Sequence, residues 1–199
     1  MRAAALALAL AMIGCGPRAK PTVVGPSVAP TAEMGWKTMR AEHRVTIDVR
    51  LDDGKHDRRS LRGAIAVERP DKFRLRALGP GGITLFDVLS IGGQVKVLQA
   101  IRDPSASALG AIIQSMAGDL QASFLLEPAP PARKISVEGD ALVVRDDERT
   151  VRLTAWQLVG GKPIATHIEI ENRARHYAVQ VGASEIDVDS ALDPALFSD

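Results

Sequence analysis

From Val45 onward, apolar residues fall on alternate positions in one segment after another. Val45, Ile47, Val49 and Leu51 alternate with Thr46, Asp48 and Arg50; Leu61, Gly63, Ile65 and Val67 alternate with Arg62, Ala64, Ala66 and Glu68. Phe73, Leu75 and Ala77 then alternate with Arg74 and Arg76. A period of two gathers the apolar set on one face of an extended chain, so each segment reads as a half-buried strand. Asp52-Asp53-Gly54, Arg69-Pro70-Asp71 and Gly79-Pro80-Gly81-Gly82 separate them with turn chemistry. Ile83–Leu89 is apolar on both faces, with Ile83, Leu85 and Leu89 on one and Phe86 and Val88 on the other. After Gly92-Gly93, Val95, Val97, Gln99 and Ile101 complete a five-stranded antiparallel meander.

Asp103-Pro104 breaks the meander and introduces a helix over about Ser105–Met116, where Leu109, Ile112, Ile113 and Met116 form one apolar stripe. Asp119–Leu126 fits either a helix or a strand, and Pro128-Ala129-Pro130-Pro131 closes it. From Lys134 the period returns to two through Ile135/Val137, Leu142/Val144, Val151/Leu153/Ala155, Ile164/Thr166/Ile168/Ile170 and Ala178–Val181. Ile186–Asp189 reads as a last short strand, followed by a capping turn over Leu192–Phe197. Ahead of the first strand, Ala32–Glu42 predicts a short helix with Thr31 as N-cap and Met34, Trp36 and Met39 on its buried face. The fold class is mainly β (α+β): one long curved antiparallel sheet with a helix inserted midway.

The N-terminus carries a different signal. Arg2 and the apolar run Ala3–Met12 have the pattern of a secretory signal peptide. Ten residues fall short of the about 20 a membrane-spanning helix needs. Met12-Ile13-Gly14-Cys15 resembles a bacterial lipobox, which implies cleavage after residue 14 and acylation of Cys15. Cys15 is the only cysteine, so no disulfide forms within the chain. Residue 16 is Gly, not Asp, which by the same resemblance directs the protein to the outer membrane. Residues 15–30 follow as a tether with Pro17, Pro21, Pro26 and Pro30, reaching roughly 45 Å when extended. Residues 31–199 then form one domain, long enough to bury its own core.

Charge and motifs narrow the function. The 25 Lys and Arg against 24 Asp and Glu give no general basic surface for nucleic acid. His43, His56, His167 and His176 follow no metal-site spacing, and no cofactor is expected. Asp52-Asp53 and Asp146-Asp147 sit in turns, and neither a Gly-x-Ser-x-Gly elbow nor a phosphate-cradling loop is present, so the chain does not read as an enzyme. Arg62, Arg74 and Arg76 fall on the sheet's polar face as a solvated basic stripe, and Trp36 and Trp156 read as packing anchors.

The order of elements resembles the Lol lipoprotein carriers, LolA and LolB. Arg69-Pro70-Asp71-Lys72-Phe73-Arg74-Leu75-Arg76 is similar to the family's Pro-x-x-aromatic-Arg strand. Gly79-Pro80-Gly81-Gly82-Ile83-Thr84-Leu85, Gly92-Gly93 and the closing Leu192-Asp193-Pro194-Ala195-Leu196-Phe197 are similar as well. The resemblance implies an incomplete β-barrel covered by helix, with an apolar cavity for lipid or lipoprotein acyl chains and a periplasmic carrier protein as a possible partner. LolB-like proteins place an exposed leucine in the loop matched here by Gly81. The expected cavity residues are Leu85, Phe86, Val88, Leu109, Ile112, Ile113, Phe124, Leu125 and Leu153. The same aliphatics equally suit a filled core in an interaction subunit of the envelope.

Overall fold

The computed structural model describes residues 22–23, 35–50, 54–100, 106–125 and 134–198. They form β1 (Thr22–Val23), β2 (Thr38–Arg50), β3 (His56–Glu68), β4 (Lys72–Leu78), β5 (Thr84–Ile91) and β6 (Gln94–Ala100). A helix, α1 (Ala106–Leu125), precedes β7 (Lys134–Glu138), β8 (Ala141–Arg145), β9 (Arg149–Val159), β10 (Lys162–Asn172) and β11 (Tyr177–Val188). All pairings are antiparallel, in the order β6-β5-β4-β3-β2-β11-β10-β9-β8-β7, with the short β1 added against the far end of β9. Two meanders, β2 to β6 and β7 to β11, thus meet along the β2–β11 seam, and α1 links their outer edges. Among the described residues β6 and β7 do not pair, so the sheet is open.

Alternation builds this sheet. In β2, Met39, Ala41, His43, Val45, Ile47 and Val49 are buried, while Arg40, Glu42 and Arg44 are exposed. Cross-strand partners keep the same face: Val45 lies opposite Leu61 and Val181, and Ile47 opposite Val179. One apolar cluster therefore runs over the whole concave face and includes Phe73, Leu75, Val88, Leu153, Ile168 and both tryptophans. Each such side chain taken fully out of water contributes roughly 1.5–3 kcal/mol.

The convex face carries a smaller cluster. The C-terminal 3-10 turn Pro194–Phe197 lays Phe197 on Ala66 and Leu89. Asp193 caps the turn by accepting from the Ala195 backbone N–H at 2.9 Å. Arg74 Nε and Nη2 each donate to one Asp87 carboxylate oxygen at 2.9 Å, and Arg74 Nη1 donates to the Leu196 carbonyl at 2.8 Å. Burial alone would raise the Asp87 pKa, but hydrogen bonds from Arg74 and Arg76 outweigh it and hold the carboxyl below its usual range. Arg74 is therefore a clamp for the C-terminus, not part of a solvated stripe.

Four further expectations change. β2 begins at Thr38, inside the expected Ala32–Glu42 helix, because Met39 and Ala41 already continue the strand's period; residues 31–34 lie outside the described residues. The helix does not stop at Met116 but runs to Leu125. Asp119, Gln121 and Ser123 obscured its apolar period, yet all three are buried. The expected separate strand at Ile186–Asp189 is the continuation of β11 past a bulge between Ser184 and Asp187, where Glu185 has φ 48°. Leu89 faces the C-terminal turn rather than sharing a face with Leu85. Asp52, Asp53 and Ile101 lie outside the described residues.

Two positions in the floor are unusual. Gly63 allows β3 and β4 to approach so closely that a Cβ there would stand 1.8 Å from the Arg76 carbonyl oxygen. Opposite it, His43 is 3% exposed, and neither ring nitrogen has a hydrogen-bond partner among the described residues. Such an unpaired buried polar atom costs about 1–3 kcal/mol. Burial lowers the His43 pKa from 6.5 to about 4, so the ring is neutral.

Gly63→Ala is expected to destabilise the fold by about 3 kcal/mol or more, read as a lower urea midpoint, because backbone stands in the way and strands β3 and β4 must part. An unchanged midpoint would contradict the close approach. His43 gives a pH signature. Unfolded, it takes up a proton near pH 6.5; folded, only near 4, so stability falls as pH drops through that window and levels below it. The loss is on the order of 3 kcal/mol. His43→Leu should remove this part of the acid sensitivity between pH 7 and pH 4.5; identical slopes for the two proteins would contradict the buried neutral ring.

Candidate functional site

The concave face needs a cover, and α1 is the element laid on it. Ile113, Met116, Ala117 and Leu120, spaced i, i+3, i+4 and i+7, are all buried in the main cluster. The apolar residues thus repeat at helical period where the chain must turn one face to a sheet.

The cover fits closely but not completely. A crevice of about 40 Å³ lies between Ile113 and the floor, lined by Ile47, Val49, Leu61, Leu85 and Phe86, with Asp57 and Arg59 at its rim. A second space of about 10 Å³ lies deeper, beside Val45, Leu75, Val88 and Leu120. Phe86 and Ile113 line both. Among the described residues both spaces fall well short of the roughly 300–1,000 Å³ of ligand pockets.

Polar contacts hold the two flanks of the helix. On one flank Asp119, 7% exposed, accepts from the Tyr177 hydroxyl at 2.6 Å and from Asn172 Nδ2 at 3.0 Å, both on Oδ2. Its other oxygen pairs with the Arg149 guanidinium, whose Nε donates to Asp146 at 2.8 Å. Ser115, one turn earlier, lies 3.2 Å from the Tyr177 oxygen. Burial first, and the hydrogen bond to Asp119 second, push the Tyr177 pKa up, so the phenol keeps its proton and acts as donor. On the opposite flank Ser90 donates to Gln121 Oε1 at 2.7 Å, and both are buried.

Of the residues expected at a cavity, the structure brings together Leu85, Phe86, Val88 and Ile113. Leu85 is half-buried at the β4–β5 irregularity, where Ala77 pairs with Phe86 and Leu78 with Thr84, which turns it to the crevice rim. Ile112 is half-buried against the main cluster, and Leu153 is buried in β9 without lining either space. Leu109, Phe124 and Leu125 belong to α1, but their side chains, like Cys15, lie outside the described residues.

Sequence reasoning missed several members. Asp57 and Arg59 occupy apolar-face positions of β3, and that parity was the available signal that this end of the floor meets water. They pair with each other at 2.9 Å. Asp119, inside an apolar helix, is the second missed residue. Ile83 is the third: it follows the Gly81-Gly82 turn, whose φ angles of 72° and 77° favour glycine, and is 66% exposed. Among the described residues no group of three or more His, Cys, Asp or Glu is placed to hold a metal ion.

No protein-family model matches the chain, and no curated protein matches it. Solved structures do. A putative outer membrane lipoprotein-sorting protein domain from Vibrio parahaemolyticus is 11% identical, with a TM-score of 0.48, over 87% of this chain and 95% of that one. A LolA superfamily protein from Nitrosomonas europaea is 10% identical, with a TM-score of 0.51, over 88% of this chain and 98% of that one. At such identity the likeness is one of fold. This chain therefore shares with the Nitrosomonas europaea protein an open antiparallel sheet with a helix laid on it.

Proposed function

We propose that this chain is a cell-envelope lipoprotein, anchored through acylated Cys15 in the outer membrane, that takes acyl chains of a lipid or lipoprotein non-covalently between α1 and the concave face. The observation that carries this reading is the way α1 is attached. It fills an apolar floor, yet its flanks are held by a few polar contacts at Asp119 and Gln121. Polar contacts to a cover can be exchanged for water when it lifts, whereas the floor then needs a new apolar occupant. An acyl chain supplies one, at about 0.8 kcal/mol per buried CH2. Release follows when a bilayer offers the chain an equal environment. Exposed Ile83 at the β4–β5 turn is placed to touch that bilayer in the manner of the LolB-like loop leucine, and a periplasmic carrier would deliver the cargo.

The chain's two tryptophans, Trp36 and Trp156, both belong to the core cluster and serve as reporters. With the full chain held in lipid nanodiscs, 9,10-dibromostearate should quench their fluorescence saturably, and excess unbrominated stearate should reverse it. Fluorescence indifferent to the brominated acid would favour a filled core serving as an interaction subunit. Tyr177→Phe removes one hydrogen bond from Asp119, worth about 1 kcal/mol. Lifting α1 then costs less, and the same titration should report roughly fivefold tighter binding. Weaker binding in that variant would contradict the covering role of the helix.

A further inference from the structure

We propose that β7 is an interaction edge through which two copies of this chain pair, antiparallel and about a two-fold axis at Ser136. The inference is independent of what the concave face binds.

β7 ends one side of the sheet: it pairs with β8, and among the described residues no strand pairs with its other side. Gly139-Asp140 is a two-residue turn with Gly139 at φ 65°, so Glu138 and Ala141 form the closing hydrogen-bonded pair of the hairpin. Backbone groups alternate in direction along an antiparallel ladder, so Ser136 and Lys134 also turn theirs to β8. The N–H and C=O groups of Ile135 and Val137 therefore point to the open edge.

The side chains of these two residues are uncovered as well. Val137 lies opposite Leu142 and Ile135 opposite Val144, which belong to or pack against the main cluster, so both continue the concave face. Yet Ile135 is 59% exposed and Val137 55%. Proteins blunt such edges with a bulge, a proline or an inward-pointing charge. Lys134–Glu138 has none of these and carries its charges only at its two ends.

Those ends select the partner. Lys134-Ile135-Ser136-Val137-Glu138 complements itself when reversed. Centred on Ser136, a second copy sets its Glu138 opposite Lys134 and its Val137 opposite Ile135. The outward backbone groups of Ile135 and Val137 then meet in hydrogen-bonded pairs on both sides of the axis. A two-fold axis normal to the sheet also keeps concave face beside concave face, so the exposed aliphatics cover one another. Within one chain Lys134 stands opposite Arg145, a like charge, and the second copy offers it a carboxylate instead. The Glu138 side chain pairs with Arg145 but is still 37% exposed, open to a further cation. A slip of one residue would turn one copy's apolar face to the wrong side, and a slip of two would part Lys134 from Glu138. The contact is isologous, so it closes at two copies.

Cysteine cross-linking of the full chain, in membranes of a bacterial host, reads this register. Ser136 meets its own copy on the axis in a non-hydrogen-bonded pair, with Cα atoms about 4.5 Å apart and within disulfide reach. Under copper-phenanthroline oxidation Ser136→Cys should form a covalent dimer about tenfold faster than Lys134→Cys, whose two copies lie at opposite ends of the paired strands. The wild type, with Cys15 alone, sets the background. Adding Val137→Pro removes an outward N–H that an edge strand can spare, and should slow the Ser136→Cys reaction about tenfold. Val137→Lys serves the same purpose should proline disturb the hairpin. Equal rates for Ser136→Cys and Lys134→Cys would mean random collision and overturn the pairing. A Ser136→Cys rate at background, or one that neither Val137 substitution slows, would overturn it too. No acyl ligand enters the measurement, so either result leaves the acyl-chain reading to its own test.

Discussion

A sheet ten strands wide that puts its apolar side chains on one face must have that face covered, and this chain offers α1 for the task. The rest of the architecture answers to that requirement. The two meanders are joined along β2–β11, and among the described residues β6 and β7 do not pair, with α1 connecting them in the chain. Its inward residues are small or aliphatic, Ile113, Met116, Ala117 and Leu120, and they sink close to the floor beside spaces of about 40 and 10 Å³. Dispersion and hydrophobic burial hold the helix broadly, while orientation comes from Asp119 and Gln121.

The two faces of the sheet are put to different uses. On the concave side the polar groups include the helix pins, the Asp57–Arg59 rim and the buried His43. On the convex side, Arg74 joins β4 to β5 through Asp87 and reaches the carbonyl of Leu196, so the last residues of the domain cover Ala66 and Leu89. This clamp stiffens β3 to β5 from outside. Phe86 and Val88, which meet the helix from inside, thus sit on a braced support.

Much of this was legible in the sequence, for reasons specific to each element. Val45–Val49 and Phe73–Ala77 alternate strictly and became β2 and β4 on the expected face. The closing Leu192–Phe197 segment was legible because Asp193 and Pro194 are capping residues in sequence as in structure. Phe86, Val88 and Ile113 line one small space, although Ile83–Leu89 is apolar on both faces and its period alone does not say which face turns inward. What was hidden was long-range. Asp119–Leu126 fits either a helix or a strand in sequence, since the partners that accept Asp119 into the core, Arg149, Asn172 and Tyr177, come from β9, β10 and β11, well beyond any local window. His43 looked incidental because its significance depends on register: only pairing with Gly63 and Ala183 makes it a buried group among small neighbours. The start of β2 was misread because Trp36 and Met39 are also spaced for a helix, and the bulge in β11 turned one strand into an apparent two.

At the centre of the functional reading is competition: α1 and an acyl chain cannot occupy the same floor. Amide hydrogen exchange over residues 106–125 of the full chain, with and without saturating stearate, tests this directly. Displacement predicts faster exchange across the helix when stearate is bound, with β2 and β4 unchanged. Exchange in α1 that stays the same or slows on binding would mean that the acyl chain lies elsewhere and that the helix is a permanent part of the core.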